Sequence, residues 1–423
     1  MVVLHHPTGN ANTRAAALGL ATAGQLSSFH TCIATFPGSW LDKAAGLPGL
    51  GELRRRTFAP ALQAQTRMWP WREAGRLLAS RAKLRTFTAH ETGAFCVDAV
   101  YHSLDRHVAR ELERAAGGAA APQAVYAYED GALASFRAAR EHGMTCVYDL
   151  PTGHWRAARR LLEPELERWP AWRSTMTGFL DSAQKLERKD EELRLADVIL
   201  VASSFTKRTL EDFPGTLAPV KVIPYGFPPV SAARTYRDIG NSPIKLLFVG
   251  NLSQGKGLAN LFAAVESFGD RFELTVVGRK AVHDNDALNA ALARHRYIPT
   301  LPNHEVLALM REQDVFMFPS LFDGFGMVIT EAMSQGTPVI TTERTVGRDL
   351  IEHGRNGWIA EAANTEALKA ALEQLLAQPD SIAACGAAAM DSARQRPWSV
   401  YGQETAQAVR EAVQARRPST ATR

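Results

Sequence analysis

The chain has 423 residues, a net charge of +4, 46% apolar and 22% charged residues. That length exceeds one ordinary core and suits two domains of roughly 150–200 residues each. The charge is too small to mark a nucleic-acid binder, so no nucleic-acid partner is expected, and no run reaches the ~18 apolar residues of a membrane span.

The first residues, MVVLHHPTGNANTR, have no charged start leading into a long apolar run, so a cytoplasmic location is expected. Cys32, Cys96, Cys146 and Cys385 are far apart and lack CxxC spacing, which favours buried reduced thiols over structural zinc.

Residues 2–4 read as a strand, followed by the loop His6-Pro7-Thr8-Gly9-Asn10 and an alanine-rich helix from Ala11. Residues 124–128, 145–148, 198–202 and 220–223 read as further strands. The second half alternates more cleanly. Strands are expected at 245–249, 273–277, 315–318 and 339–341, with helices at 258–267, 304–313, 327–334 and 366–377. Strands alternating with helices predict an α/β fold with parallel sheets, whose ligands bind at the carboxyl ends of the strands. Pro224-Tyr225-Gly226-Phe227-Pro228-Pro229 punctuates the chain as a hinge does. The expected division is 1–225, 226–395 and a tail of 396–423.

The strongest chemical signal is Pro319-Ser320-Leu321-Phe322-Asp323-Gly324-Phe325-Gly326-Met327-Val328-Ile329-Thr330-Glu331-Ala332-Met333. A buried strand ends, two glycines allow a tight turn, and a helix begins with unpaired N–H groups that suit a phosphate. Asp323 and Glu331, eight positions apart, suit hydroxyls on either side of a diphosphate. Phe248-Val249-Gly250-Asn251-Leu252-Ser253-Gln254-Gly255-Lys256-Gly257 is a second strand, glycine turn and lysine. Arg279, after Val277-Gly278, is a further cation for a phosphate.

These segments resemble the retaining glycosyltransferases of family 4, which have the GT-B fold: two Rossmann-like domains facing across a cleft, with a carboxyl-terminal helix crossing back to the first. The family pattern E-G-F-G-x-x-x-x-E-A-M followed by G-x-P-V matches Asp323-Gly324-Phe325-Gly326, Glu331-Ala332-Met333 and Gly336-Thr337-Pro338-Val339. The resemblance implies that Glu331 binds the ribose and that Asp323 contacts the transferred sugar. It implies too that the amides of Phe325, Gly326 and Met327 hold phosphate or sugar hydroxyls, and that Lys256 neutralises the diphosphate. The family often has Arg where this chain has Asn251, and usually Glu where it has Asp323. The match is specific from about Leu195 to Leu376 and diffuse before that.

In the first half, Gly9 and Asn10 are candidate cleft contacts. His5 and His6 are strand neighbours that point to opposite faces, so a shared metal is not expected. Glu129 and Asp130 either bind acceptor hydroxyls or cap the next helix, with capping favoured for Asp130. Asp149 opens another strand-end loop. His154 is either the cleft histidine that family members often have or a surface histidine starting a helix.

Residues 54–85 carry Arg54, Arg55, Arg56, Arg67, Arg72, Arg76, Arg81, Lys83 and Arg85 with Trp69 and Trp71, opposed locally by Glu52 and Glu73. Such a stretch lies on an anionic membrane surface, grips an anionic acceptor, or packs as ordinary basic helix.

The whole reads as a retaining hexosyltransferase using a nucleotide diphosphate sugar, no metal, and a glycan or lipid-linked acceptor. Its location is cytoplasmic or peripheral on the inner face of the membrane. The rivals are a GT-B sugar phosphorylase, a nucleotide-sugar epimerase, and a non-catalytic sugar-nucleotide-binding protein. A dehydrogenase is disfavoured because no GxGxxG follows the first strand.

Overall fold

The structure is a computed structural model that describes residues 1–44, 51–118 and 121–416. The first sheet holds β1 (Val2–His5), β2 (Leu26–Thr31), β3 (Thr66–Met68), β4 (Ala124–Tyr128), β5 (Thr145–Leu150), β6 (Val198–Val201) and β7 (Val220–Val222). Its order is β3-β2-β1-β4-β5-β6-β7. The second holds β8 (Ile244–Val249), β9 (Phe272–Val277), β10 (Arg296–Ile298), β11 (Val315–Phe318), β12 (Val339–Thr342) and β13 (Gly357–Ala360), in the order β10-β9-β8-β11-β12-β13. Every pairing is parallel. Each order reverses once, between β1 and β4 and between β8 and β11, and such a switch point opens a crevice for a ligand.

Strands covered by helices on both faces need continuous apolar runs rather than alternation. VVLH, AVYAY, VFMF and VITT are buried at every position. These central strands are legible in sequence, as are β5 to β9. The strands not foreseen are β2, β3, β10 and β13. LSSFHT of β2 breaks the apolar run with half-buried Ser27 and Ser28, and Ser28 Oγ and His30 Nε2 lie 2.9 Å apart. β3 and β10 are three-residue edge strands, TRM and RYI. β13 begins at Gly357-Trp358. The 19-residue helix Val97–Ala115 was also unforeseen.

Two strands of chain join the halves side by side. Phe227 bridges Pro397, and the Arg396 Nε–H donates to Pro224 O at 3.1 Å. Helix Trp398–Arg416 then crosses back onto helix Ala11–Thr22. Their backbones touch at Gly19 and Gly402, where a Cβ on Gly19 would lie 2.2 Å from Gly402 O. The tail from 417 lies outside the described residues. All four cysteines are buried and free.

The basic stretch 54–85 runs through five separate elements: Gly51–Arg56, Pro60–Gln65, β3, helix Trp71–Arg81 and the turn Arg85–Thr88. Arg56 is buried and paired with buried Glu73, which also takes Arg76 at 2.7 Å. Trp69 stacks on His107 at 4.3 Å and donates to Ser103 Oγ, so it is not an interfacial aromatic.

Candidate functional site

A cleft of about 500 Å³ opens where the switch points of the two sheets face each other. The second half supplies Gly250 after β8, Lys256, Phe318 ending β11, and the turn into helix Met327–Ser334. The first half supplies His6 and Asn10 after β1, Asn12, Tyr128 ending β4, and Pro151, with Tyr225 coming from the hinge.

The second-half wall is built by backbone. Gly326 caps helix Met327–Ser334 at φ +83°, and a Cβ there would meet the Phe318 ring at 2.9 Å, so glycine is required. Gly326, Met327 and Val328 line the cleft, which turns the positive end of the helix towards it. The Lys256 ammonium is paired with the Asp323 carboxylate and lies 5.5 Å over the Phe318 ring. The Phe325 amide is not free, because it donates to Asp323 Oδ1 at 3.1 Å.

Gly324 faces the other domain. Its carbonyl accepts from Ser203 Oγ (2.6 Å) and Thr206 Oγ1 (2.9 Å), and a Cβ would lie 2.2 Å from Pro151 O. The glycine read as serving a ligand therefore lets the donor loop touch the first half. Gln254 Nε2, donating to Glu165 Oε2 at 2.8 Å, ties the lysine turn across the same seam.

Glu331 stands three residues beyond Val328. Its carboxylate accepts from Asn303 Nδ2 at 3.1 Å, and burial raises its pKa. Asn251 and Arg279 do not line the main cleft. They line a smaller neighbouring cavity of about 290 Å³, shared with Lys256 and closed by residues 175–179 of the first half.

The first-half wall is built by side chains, and here sequence reading fared worse. Asn10 lines the cleft. Gly9 does not: a Cβ on it would lie 2.2 Å from the Phe58 ring. Glu129 is held by Thr152 Oγ1 at 2.9 Å and Lys189 Nζ at 3.4 Å, away from the cleft. Asp130 caps nothing. Its carboxylate takes Arg188 at 2.8 Å, while Asp105 receives the amides of Ala134 and Ser135 at the start of helix Leu133–Glu141.

Asp149 is 3% exposed and accepts from Tyr126 OH at 2.6 Å, and burial pushes it up to about 7. It is a core carboxyl beneath the cleft. His154 is 1% exposed, set 3.3 Å from Asp190 Oδ1 with its ring edge on Phe213. It is neither the cleft histidine nor a surface one.

The cleft histidine is His6. Its Nδ1 accepts the amides of Thr8 (3.2 Å) and Gly9 (3.0 Å), which leaves the proton on Nε2, 3.4 Å from Tyr101 OH. Burial lowers its pKa to about 3, so the ring is a neutral N–H donor. Its place at the end of β1 was the available signal, weighed in the sequence only for metal. Asn12, whose Nδ2 donates to Tyr225 OH at 3.2 Å, closes the same strand-end segment, whose place after the first strand was its only signal. Among the described residues one metal-like group occurs, His90, Glu91 and Asp181, outside this cleft. Lys185 Nζ already stands 3.1 Å from Asp181.

Residues 232–391 match the family model of glycosyl transferases group 1. Amylovoran biosynthesis glycosyltransferase AmsK of Erwinia amylovora is 28% identical over 173 residues, 37% of this chain and 42% of that protein. Phosphatidyl-myo-inositol mannosyltransferase of Mycobacterium leprae is 30% identical over 166 residues, 38% and 44% of the two chains. The chain thus spans less than half the length of these curated relatives. Over nearly the whole chain it shares the GT-B fold of sucrose-phosphate synthase from Thermosynechococcus elongatus (TM-score 0.63, 16% identity, 98% and 99% of the two chains). The same holds for Anabaena HepE in complex with UDP-glucose (TM-score 0.59, 16% identity, 97% and 99%).

Proposed function

We propose that this protein is a retaining glycosyltransferase of family 4. It moves a hexosyl unit from a nucleotide diphosphate sugar to a hydroxyl of a glycan or lipid-linked acceptor, in bacterial surface polysaccharide or glycolipid synthesis at the cytoplasmic side of the membrane. The observation that carries this is the Lys256–Asp323 pair beside the glycine-capped helix at Met327, inside a segment that matches group 1 glycosyltransferases. Support comes also from curated relatives that are named polysaccharide and glycolipid transferases.

The donor diphosphate binds at the Met327 helix end and draws the Lys256 ammonium from Asp323. Asp323 is then released towards the sugar hydroxyls. Glu331, already oriented by Asn303, receives the ribose. As the anomeric carbon–oxygen bond breaks, the charge on the leaving diphosphate is met by Lys256 and the helix amides, without a metal. The acceptor oxygen attacks on the leaving-group face and its proton passes to a phosphate oxygen. His6 holds its Nε2–H at the wall of the cleft as a neutral donor.

A panel of nucleotide sugars, with and without magnesium, tests this by thermal stabilisation. The UDP sugars come first, because the similar HepE fold holds UDP-glucose. A donor at 100 times its dissociation constant raises stability by about 2.7 kcal/mol, and Glu331→Ala abolishes the shift. Anomeric NMR of the transferred product follows; an inverted linkage removes the retaining assignment, and no stabilisation by any donor favours the phosphorylase reading.

A further inference from the structure

Six of the eleven exposed large apolar side chains among the described residues fall within one thirty-residue stretch: Met68, Trp71, Leu78, Leu84, Phe87 and Val97. Trp71 and Leu78 are 68% and 69% exposed, and Leu84 and Phe87 are 50% and 47%. Trp71 and Leu78 are seven residues apart on helix Trp71–Arg81, two turns along one face. Glu73, on the opposite face, and Ala79, beside Leu78, are buried and anchor the helix. Leu84 and Phe87 follow on a turn fixed to the body, since Leu84 N donates to Ala79 O at 2.9 Å and Phe95 N to Phe87 O at 2.8 Å. Exposure here is built in rather than a product of slack chain.

The cations fall in the same place. Arg72, Arg81, Lys83 and Arg85 are exposed among these apolar groups. The two acids of the stretch are engaged elsewhere: Glu73 with Arg56 and Arg76, and Glu91 with Ser182. A side chain two-thirds in solvent stands proud of the surface instead of lining a groove. A folded protein partner would need a separate pocket for each such projection. A fluid interface takes them without shaped pockets and prefers tryptophan, leucine and phenylalanine amid basic residues.

We propose that helix Trp71–Arg81 and the turn through Phe87 form a docking face for an anionic lipid bilayer. Helix Val97–Ala115 continues from this face and carries Tyr101 to 3.4 Å from His6, so docking sets the first-half wall of the cleft against the interface. The consequence for acceptor delivery, though not the docking itself, rests on the transferase reading.

The test is sedimentation of the full chain with vesicles of about one-third phosphatidylglycerol in phosphatidylcholine. The expected result is binding that weakens with salt, falls at least tenfold in Trp71→Ser/Phe87→Ser, and falls similarly in Lys83→Ser/Arg85→Ser. Each variant should keep the thermal midpoint of the parent, because the replaced side chains are exposed. A folded parent that ignores these vesicles, or variants that bind as well as the parent, overturns the proposal. So does a parent whose dimer, seen by light scattering, is dispersed by Trp71→Ser/Phe87→Ser while vesicle binding persists, since a second copy would then be the occupant. Donor stabilisation measured without vesicles reports on the transferase reading separately.

Discussion

The two walls of the cleft are made differently. The second-half wall is a backbone surface: a glycine-capped helix end and a lysine held on a short turn. The first-half wall is a side-chain surface, with His6, Asn12 and Tyr128 reaching the cleft from β1, a helix and β4. A backbone site imposes residue types at fixed spacing, because only glycine fits at φ +83° beside Phe318. A side-chain site needs suitable groups to converge in space from positions more than a hundred residues apart. The first kind is written locally in the chain and the second is not.

The largest loss comes from the second wall. Lys256→Ala should lower kcat by about 10²–10³, or about 3–4 kcal/mol, while the fold is kept; a loss under tenfold in steady-state transfer moves the charge stabilisation elsewhere.

Next comes a pH effect beneath the first wall. Asp149 has a folded pKa raised to about 7 from 3.8. The native state therefore holds a proton that the unfolded chain releases, and stability falls as pH rises between those values. Asp149→Asn should remove that fall, so that between pH 4 and 8 it loses about 4 kcal/mol less than the parent in urea titrations. Parallel pH curves for the two proteins would contradict the buried neutral carboxyl.

His6→Ala should lower kcat about tenfold, the effect of one lost neutral hydrogen bond. The pH–rate profile between 5 and 9 should keep its shape, since His6 titrates near 3. Loss of an inflection near neutrality in the variant would make His6 a base instead of a donor. The smallest effect belongs to His154→Ala, which should change transfer less than twofold while lowering the melting temperature; a hundredfold rate loss at unchanged KM would restore the histidine to the chemistry.

Legibility follows the same division. The central strands and the donor turn could be read because burial on both faces leaves valine, isoleucine and phenylalanine runs, and because Gly326 has no substitute. Even there, spacing did not reveal which way each residue faced. Gly324 turned to Ser203 and Thr206, and Asn251 and Arg279 fell into a neighbouring cavity. In the first half, His154 and Asp149 looked suitable because they follow or end a strand. Asp190 and Tyr126 claim them from partner elements that sequence order does not place. His6 was passed over because the amides that fix its tautomer come from the turn geometry after it.

The return of helix Trp398–Arg416 onto helix Ala11–Thr22 bears on how the molecule is made. A ribosome delivers the first half long before the segment that completes it. Until residue 402 arrives to meet Gly19, and Tyr401 to join the buried tyrosines around Asp149, the amino-terminal sheet has a helix-wide apolar gap on one side. The first domain must wait, incompletely covered, while the second is synthesised and folds between its two parts. Vectorial synthesis therefore favours the second domain as the first unit to reach its final form, and a chain released before about residue 400 should depend on chaperones for its first domain.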